Sequence, residues 1–397
     1  MSKFEIILSN IIITITIVAA FFYLTKNDYI NTNEFSEIAA MRDTIYFNNS
    51  DQINVNKQIN NSRNTIITNT VKNVSPAVVG ISIKEIRQYQ YNSPFNNHPF
   101  WGRFFGNQVF NKEISGLGSG VIISSDGYIL TNDHVAGTAD EITVTMSNGK
   151  HYKATKIGTD LISDICLLKI NEDNLPFIPF GNSDDILIGE WVVALGNPFG
   201  LFDVSDKPTV TVGVISASNM NLSPVDNRYY TNMIQTDASI NQGNSGGPLI
   251  NSIGELIGMN TLIWTAQGSS GNVGVGFAIP SNKLNKVITE LKENGIFERD
   301  YWTGLRIHSI DEGIAKYYNL SNTRGVIITD VADKSPAKIA GLESGDIIKQ
   351  LNDFDIANYE TLKGVLQNYK TGESINLKII RNNKELIKTV KLKKRRF

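Results

Sequence analysis

Gln242-Gly243-Asn244-Ser245-Gly246-Gly247-Pro248 sets a serine among glycines between two strand-like runs. A nucleophile for acyl transfer needs a tight turn that exposes its hydroxyl and aims nearby N–H groups at the developing oxyanion. Glycine permits both, so the turn Gly243, Asn244, Ser245 is the candidate oxyanion hole, with the Gly243 and Ser245 amides as donors. Gly246 and Gly247 keep side chains out of the substrate's path. A plain glycine-rich turn is the competing reading of the segment taken alone.

A serine hydroxyl is a poor nucleophile without a base, and the chain has four histidines. His134 ends an apolar strand in Leu130-Thr131-Asn132-Asp133-His134-Val135-Ala136. His98 lies in an irregular stretch, His151 beside a hairpin turn, and His308 towards the C-terminus. The base in turn needs a buried acid that fixes its tautomer and stabilises the imidazolium. Asp164 opens the apolar run Ile165-Cys166-Leu167-Leu168 about 30 residues after His134, a position that buries it. Asp160, in a polar turn, and Asp133, whose side chain as a sequence neighbour normally points elsewhere, are the competing acids.

The elements that must position these groups are short and apolar or alternating, which predicts strands. A first set runs 78–83, 120–123, 128–131, 142–146, 152–157 and 165–170, punctuated by the hairpin signals Ser125-Asp126-Gly127 and Ser147-Asn148-Gly149-Lys150. A second set runs 191–195, 209–216, 232–237, 248–250, 256–260 and 274–279. Two successive β-rich units of this size argue for paired barrels or a sandwich. Residues 85–115 break the pattern and are expected to form a long loop. Ile66, Ile67, Val71 and Val74 have helical spacing before Ser75-Pro76. A second helix is expected with Ser281 as its cap, Leu284, Val287, Ile288 and Leu291 on one face, and Gly295 ending it in the left-handed conformation.

Taken together, Thr131-Asn132-Asp133-His134-Val135, Thr159-Asp160 followed by Asp164-Ile165-Cys166-Leu167-Leu168-Lys169, and Gly243-Asn244-Ser245-Gly246-Gly247-Pro248-Leu249 resemble the three catalytic blocks of the HtrA/Deg serine proteases. Gly196-Asn197-Pro198, Gln235-Thr236-Asp237-Ala238 and Gly274-Val275-Gly276-Phe277-Ala278-Ile279-Pro280 extend the resemblance, which covers roughly 71–393. It implies a mainly β, chymotrypsin-like double barrel of six strands each, with the active site between the barrels and no cofactor or metal. His134 is then base and acid, Asp164 its orienter and Ser245 the nucleophile. Ile240, just before the nucleophile, is expected to line a specificity pocket for small aliphatic residues. Cys166 stands where the family usually has alanine and reads as an inert buried thiol.

Ser335-Pro336-Ala337-Lys338-Ile339-Ala340-Gly341-Leu342 and Gly345-Asp346-Ile347-Ile348 resemble the helix and following strand of an α+β PDZ domain, where a bound peptide adds a strand to a sheet edge. Its carboxylate-binding loop is expected at Tyr301, Trp302, Thr303, Gly304 and Leu305, one residue longer than the family's usual pattern. Family members commonly carry an arginine after Ser216-Ala217 that helps transmit PDZ occupancy. Here Ser218-Asn219-Met220 follows, and Arg228, later in the loop, is the available substitute.

At 397 residues, with 19% charged residues, 41% apolar residues and a formal net charge of -2, the composition excludes a disordered chain and gives no sign of nucleic-acid binding. One cysteine excludes an intramolecular disulfide. Ile6 to Leu24 carries no charge and is long enough to cross a bilayer, so an N-terminal transmembrane helix is expected, with a signal peptide cut near Val18-Ala19-Ala20 as the alternative. The expected organisation is an anchor over 1–25, a polar tether over 26–70, a trypsin-like protease domain over 71–298, a PDZ domain over 299–393 and a basic tail over 394–397. One PDZ block plus an anchor resembles the DegS-like branch. By that resemblance the protein is a single-pass homotrimer of the bacterial inner membrane with its catalytic domain in the periplasm. It would cleave a membrane-anchored anti-sigma factor when the PDZ binds C-terminal peptides of misfolded outer-membrane proteins. A general periplasmic quality-control protease or chaperone is the alternative.

Overall fold

A computed structural model describes residues 15–16, 62–91, 108–203, 205–241, 243–263 and 273–394. Apart from residues 15 and 16, the apolar run Ile6 to Leu24 lies outside them, and no described helix is long and apolar enough to cross a membrane. The unit beginning at Ile66 opens with α1 (Ile66–Val74). Its spacing turns Val74 inward with Ile67 and Val71 beside it, while Ile66 stays exposed. The Thr70 hydroxyl fastens it to the Ser252 carbonyl at 2.7 Å.

The first β unit contains β1 (Val78–Tyr91), β2 (Gln108–Ile122), β3 (Tyr128–Thr131), α2 (Asp133–Ala136), β4 (Glu141–Met146), β5 (His151–Lys153), β6 (Thr155–Asp160) and β7 (Ile165–Lys169). The strands form one antiparallel sheet in the order β5-β4-β1-β2-β3-β7-β6. This corrects the expectation of a closed six-stranded barrel: there are seven strands, and among the described residues no ladder joins β5 to β6. The cause is local. The run 152–157 divides at Ala154, so its first half pairs with β4 and its second with β7 at the opposite edge. The sheet curls until its two edges meet through the chain itself. The expected loop over 85–115 is also shorter, because the β1–β2 ladder continues in register from Val78↔Val121 to Tyr91↔Gln108.

The second β unit does close. Its strands are β8 (Trp191–Gly196), β9 (Thr209–Met220), β10 (Met233–Thr236), β11 (Pro248–Asn251), β12 (Leu256–Ile263) and β13 (Gly276–Pro280), in the barrel order β10-β13-β12-β11-β8-β9 with β9 returning to β10. Alternation sends Val192, Ala194, Ile215, Ile234, Leu249 and Ile257 into its core. Helix α3 (Ser281–Asn294) follows, burying Leu284, Val287, Ile288 and Leu291, and ends at Gly295 with φ 73°. Ser281 is not its cap. It is already in the first turn, and its buried hydroxyl donates to the Gly181 carbonyl at 2.7 Å.

The C-terminal unit is α+β: β14 (Leu305–Ser309), α4 (Glu312–Tyr317), β15 (Val326–Val331), α5 (Pro336–Ile339), β16 (Ile347–Leu351), β17 (Phe354–Asp355), α6 (Tyr359–Leu366), β18 (Ser374–Arg381) and β19 (Lys384–Lys391). The sheet order β14-β15-β16-β18-β19 leaves β14 as an edge strand, with α6 packed beside it. Ser335 caps α5, its hydroxyl accepting from the Lys338 amide at 3.1 Å.

Candidate active site

Asp164 is the last residue of the turn into β7 and sits at φ 59°, a conformation that an L residue rarely adopts without support. The support is visible. The Asn132 side-chain amide donates to the Asp164 carbonyl at 3.0 Å, and the His134 amide donates to its carboxylate at 3.0 Å. With its side chain fully buried, the carboxylate stands 2.8 and 2.9 Å from His134 Nδ1. Thr261 Oγ1 donates to the same carboxylate at 2.7 Å and Tyr230 Oη at 3.2 Å. Burial opposes ionisation of Asp164, but the hydrogen bonds from His134 and Thr261 and the attraction of His134 outweigh it, and its carboxyl lies below the usual carboxylate range. An imidazole held this way keeps its proton on Nδ1 and offers Nε2 as a base.

Of the two competing acids, neither touches the imidazole. Asp133 points away from it and accepts from Thr159 Oγ1 at 2.6 Å and from Arg228 Nη2 at 2.8 Å. Asp160 is held at both oxygens by the Arg299 guanidinium, each contact 2.7 Å. The His151 ring lies against Thr145 Oγ1 at 3.0 Å and His308 is exposed on β14, both remote in the fold from Asp164; His98 lies outside the described residues.

Ser245 lies in the turn before β11, carried by the barrel, whereas His134 and Asp164 belong to the first unit. The two units are sewn together here: the Ser119 amide donates to the Ser245 carbonyl at 3.0 Å, and the Ser119 hydroxyl donates to the Gly243 carbonyl. That same hydroxyl accepts from the Asn197 amide at 2.7 Å. Gly246 cannot be replaced, because at φ 84° a Cβ would stand 2.2 Å from the Ser119 carbonyl oxygen. Among the described residues, the Gly243 and Ser245 amides have no acceptor. The Asn244 amide does, donating to the Asn241 carbonyl at 3.0 Å, so this member of the candidate oxyanion turn is already occupied. The Ser245 hydroxyl donates to the Thr261 carbonyl at 3.2 Å and makes no hydrogen bond with His134. Thr261 thus links both halves, with its hydroxyl on the acid and its carbonyl on the serine.

Ile240 is buried within the barrel core, its side chain filling the space a Cβ on Gly276 would need. Cys166 is buried, and burial pushes its thiol up to about 12. In the expected carboxylate loop, the Tyr301 amide donates to Arg299 at 2.7 Å and the Trp302 amide to Lys393 at 2.9 Å. Among the described residues this leaves the Thr303 and Gly304 amides without an acceptor. Arg228 does not reach the serine turn; it lies on Asp133 and Asp164. Thr261 and Tyr230 escaped the sequence reading, since each reaches Asp164 from a strand or loop far along the chain. Thr159 stands in the Thr159-Asp160 block, but its bond to Asp133 carries no mark in the sequence.

A serine borne on a closed barrel beside a carboxylate-held histidine, followed by a PDZ-like unit, defines a trypsin-like serine peptidase with a peptide-binding module. The trypsin-like peptidase domain family matches residues 118–259, and the PDZ domain family matches residues 304–392. A probable periplasmic serine endoprotease DegP-like of Marinomonas sp. (strain MWYL1) is 41% identical over 345 residues, covering 83% of this chain and 71% of its own length. Its counterpart in Chlamydia trachomatis serovar D is 41% identical over 309 residues, with 76% and 60% covered. The solved HtrA-type protease AlgW with decapeptide superposes with a TM-score of 0.60 at 33% identity, over 83% of this chain and 99% of that one. The chain belongs to the HtrA/Deg family of serine endoproteases.

Proposed function

We propose that His134, Asp164 and Ser245 act as the catalytic triad of a regulated envelope endopeptidase. The observation that carries this reading is the buried Asp164 carboxylate at 2.8 Å from His134 Nδ1, with Thr261 joining it to Ser245. The Ser245 hydroxyl first rotates from the Thr261 carbonyl to His134 Nε2. Its proton passes to the imidazole as Oγ attacks the peptide carbonyl, and the Gly243 and Ser245 amides receive the oxyanion. The imidazolium then protonates the departing amine, leaving an acyl-enzyme. Water, deprotonated by the same imidazole, releases the acid. The turn before the nucleophile, including Ile240, shapes a pocket for small aliphatic side chains.

A peptide C-terminus is the ligand that suits the PDZ unit. It adds a strand to the open edge of β14 beside α6, with its carboxylate at the Thr303 and Gly304 amides. The solved AlgW relative is described with a decapeptide. Arg299, two residues before this loop, reaches the protease unit at Asp160 and at Ser163 Oγ, 2.9 Å away, on the turn that leads into Asp164. Peptide occupancy is thereby felt next to the triad acid. In the DegS-like form of this reading, a trimer anchored in the inner membrane cuts a membrane-bound anti-sigma factor in response to C-termini of misfolded outer-membrane proteins. Broad quality-control proteolysis in the periplasm is the second reading, favoured by the curated relatives, which are named periplasmic DegP-like endoproteases.

The deciding experiment compares cleavage of unfolded casein with cleavage of a membrane-anchored anti-sigma factor, with and without peptides ending as outer-membrane proteins do. Cleavage of the regulator that rises at least tenfold with peptide supports the DegS-like form. Equal cleavage of both substrates, indifferent to peptide, rejects it in favour of the second reading.

A further inference from the structure

The loop between β9 and β10 turns sharply at Val225-Asp226-Asn227-Arg228. Val225 and Arg228 exchange backbone hydrogen bonds of 3.1 and 2.8 Å, and Asp226 and Asn227 both have positive φ, 48° and 64°. Two consecutive left-handed residues make the tightest hairpin tip and return the chain on itself. The return throws Arg228 onto the acid side of the active site. Its Nη2 donates to Asp133 at 2.8 Å, and its Nε stands 3.3 Å from Asp164 Oδ1. The Nε–H is not aligned for a directed hydrogen bond, so the second contact is ionic. All three side chains are withdrawn from water: Arg228 is 14% exposed, Asp133 3% and Asp164 0%.

Buried charges of this kind interact strongly because little water screens them. A lone guanidinium against Asp164 would draw that carboxylate's charge away from the imidazolium and weaken the base. A lone Asp133 beside the triad would do the reverse. Together the three groups carry one net negative charge, the same as a single triad carboxylate. We propose that Asp133 and Arg228 form a charge-compensated clamp that positions Asp164 and sets the basicity of His134, an inference that rests on the triad assignment above. Neither is a catalytic residue; both act through Asp164.

Other ionisable groups face this cluster and are unchanged by the test: Tyr230 from the same loop, Cys166 on β7, Lys156 on β6, the Asp160–Arg299 pair, and Lys283 of α3. Casein cleavage is followed from pH 5 to 9 for the full-length wild type, R228Q, D133N and the double variant. Without the guanidinium the imidazolium is favoured, so the acidic limb of kcat/KM moves to higher pH in R228Q by about one unit. In D133N the guanidinium is shared by one carboxylate only, and the limb moves to lower pH by a similar amount. The double variant returns close to wild type. Shifts of the same sign in both single variants, or none in either, overturn the clamp.

Should circular dichroism show R228Q unfolded, D133N decides alone. The amide fits the same space and Thr159 can reverse its hydrogen bond, so a limb moved to lower pH supports the clamp, and one unmoved or raised rejects it. H134A separates the two ideas. Full activity in H134A sinks the triad assignment itself, whereas an inactive H134A with unshifted clamp variants sinks the clamp only.

Discussion

The two halves of the proposed active site are built to different standards of completion. On the acid side, Asp164 receives His134, Thr261 and Tyr230 while Arg228 stands against it, and Asp133 receives Thr159 and Arg228. On the nucleophile side, the Ser245 hydroxyl rests on a backbone carbonyl, and among the described residues two amides have no acceptor. The difference teaches where adjustment can occur cheaply. Moving Asp164 would strand a buried carboxylate and part it from Arg228, at a cost of several kcal/mol. Turning one serine hydroxyl breaks one ordinary hydrogen bond worth about 1 kcal/mol. In the proposed triad the electrostatics are therefore prepared in advance, and substrate need only complete the serine side.

The largest effect comes from breaking either half outright. S245A is expected to lose about six orders of magnitude in kcat, leaving only binding and oxyanion stabilisation. D164N, which keeps the shape but favours the wrong tautomer, should lose about four orders. Both are read from casein cleavage. T261V strikes the residue common to both halves. It removes one buried hydrogen bond to a charged acceptor and keeps the carbonyl, so a loss of roughly 10- to 100-fold in kcat with KM unchanged is expected.

Smaller effects sharpen the contrast between the site and its surroundings. R299Q breaks the buried contact between the PDZ-proximal segment and Asp160, and should reduce the fold-activation by added C-terminal peptide while preserving the maximal rate. Cys166, with its thiol pushed up to about 12, should resist iodoacetamide at pH 8 until the protein unfolds, as mass spectrometry will show. Lys283, beside the PDZ-facing surface of α3, has its ammonium pushed down to about 8 by burial. Its charge opposes folding in full below pH 8, and the penalty fades as pH rises from 8 towards 10.5, where the lysine is neutral in both states. K283M should raise Tm by roughly 2 °C at pH 7 and by less at pH 10.

Much of this was legible in the sequence because it is local. The glycine-flanked Ser245, the positions of His134 just after β3 and Asp164 just before β7, and nearly all the strands of the two β units follow from spacing and turn residues, whereas in the C-terminal unit only the strand β16 was read. Asp164 stood out because an acid opening a fully apolar strand must find a partner. The first unit was misjudged because Ala154 divides one apolar run between two sheet edges, and alternation carries no mark of which neighbour a strand will choose. Ser281 looked like a cap because serine before an apolar helix usually is one; its hydroxyl instead serves Gly181, a hundred residues earlier. Thr261 and Tyr230 were invisible for the same reason, as their partner Asp164 is 97 and 66 residues away.

The most direct test of the triad is covalent. Full-length protein treated with diisopropyl fluorophosphate, then digested and sequenced by mass spectrometry, should carry one phosphoryl adduct on Ser245. The adduct should be absent from S245A and form at least a thousandfold more slowly in H134A and D164N. An adduct on another serine, or labelling of Ser245 at the wild-type rate without His134, would contradict the account.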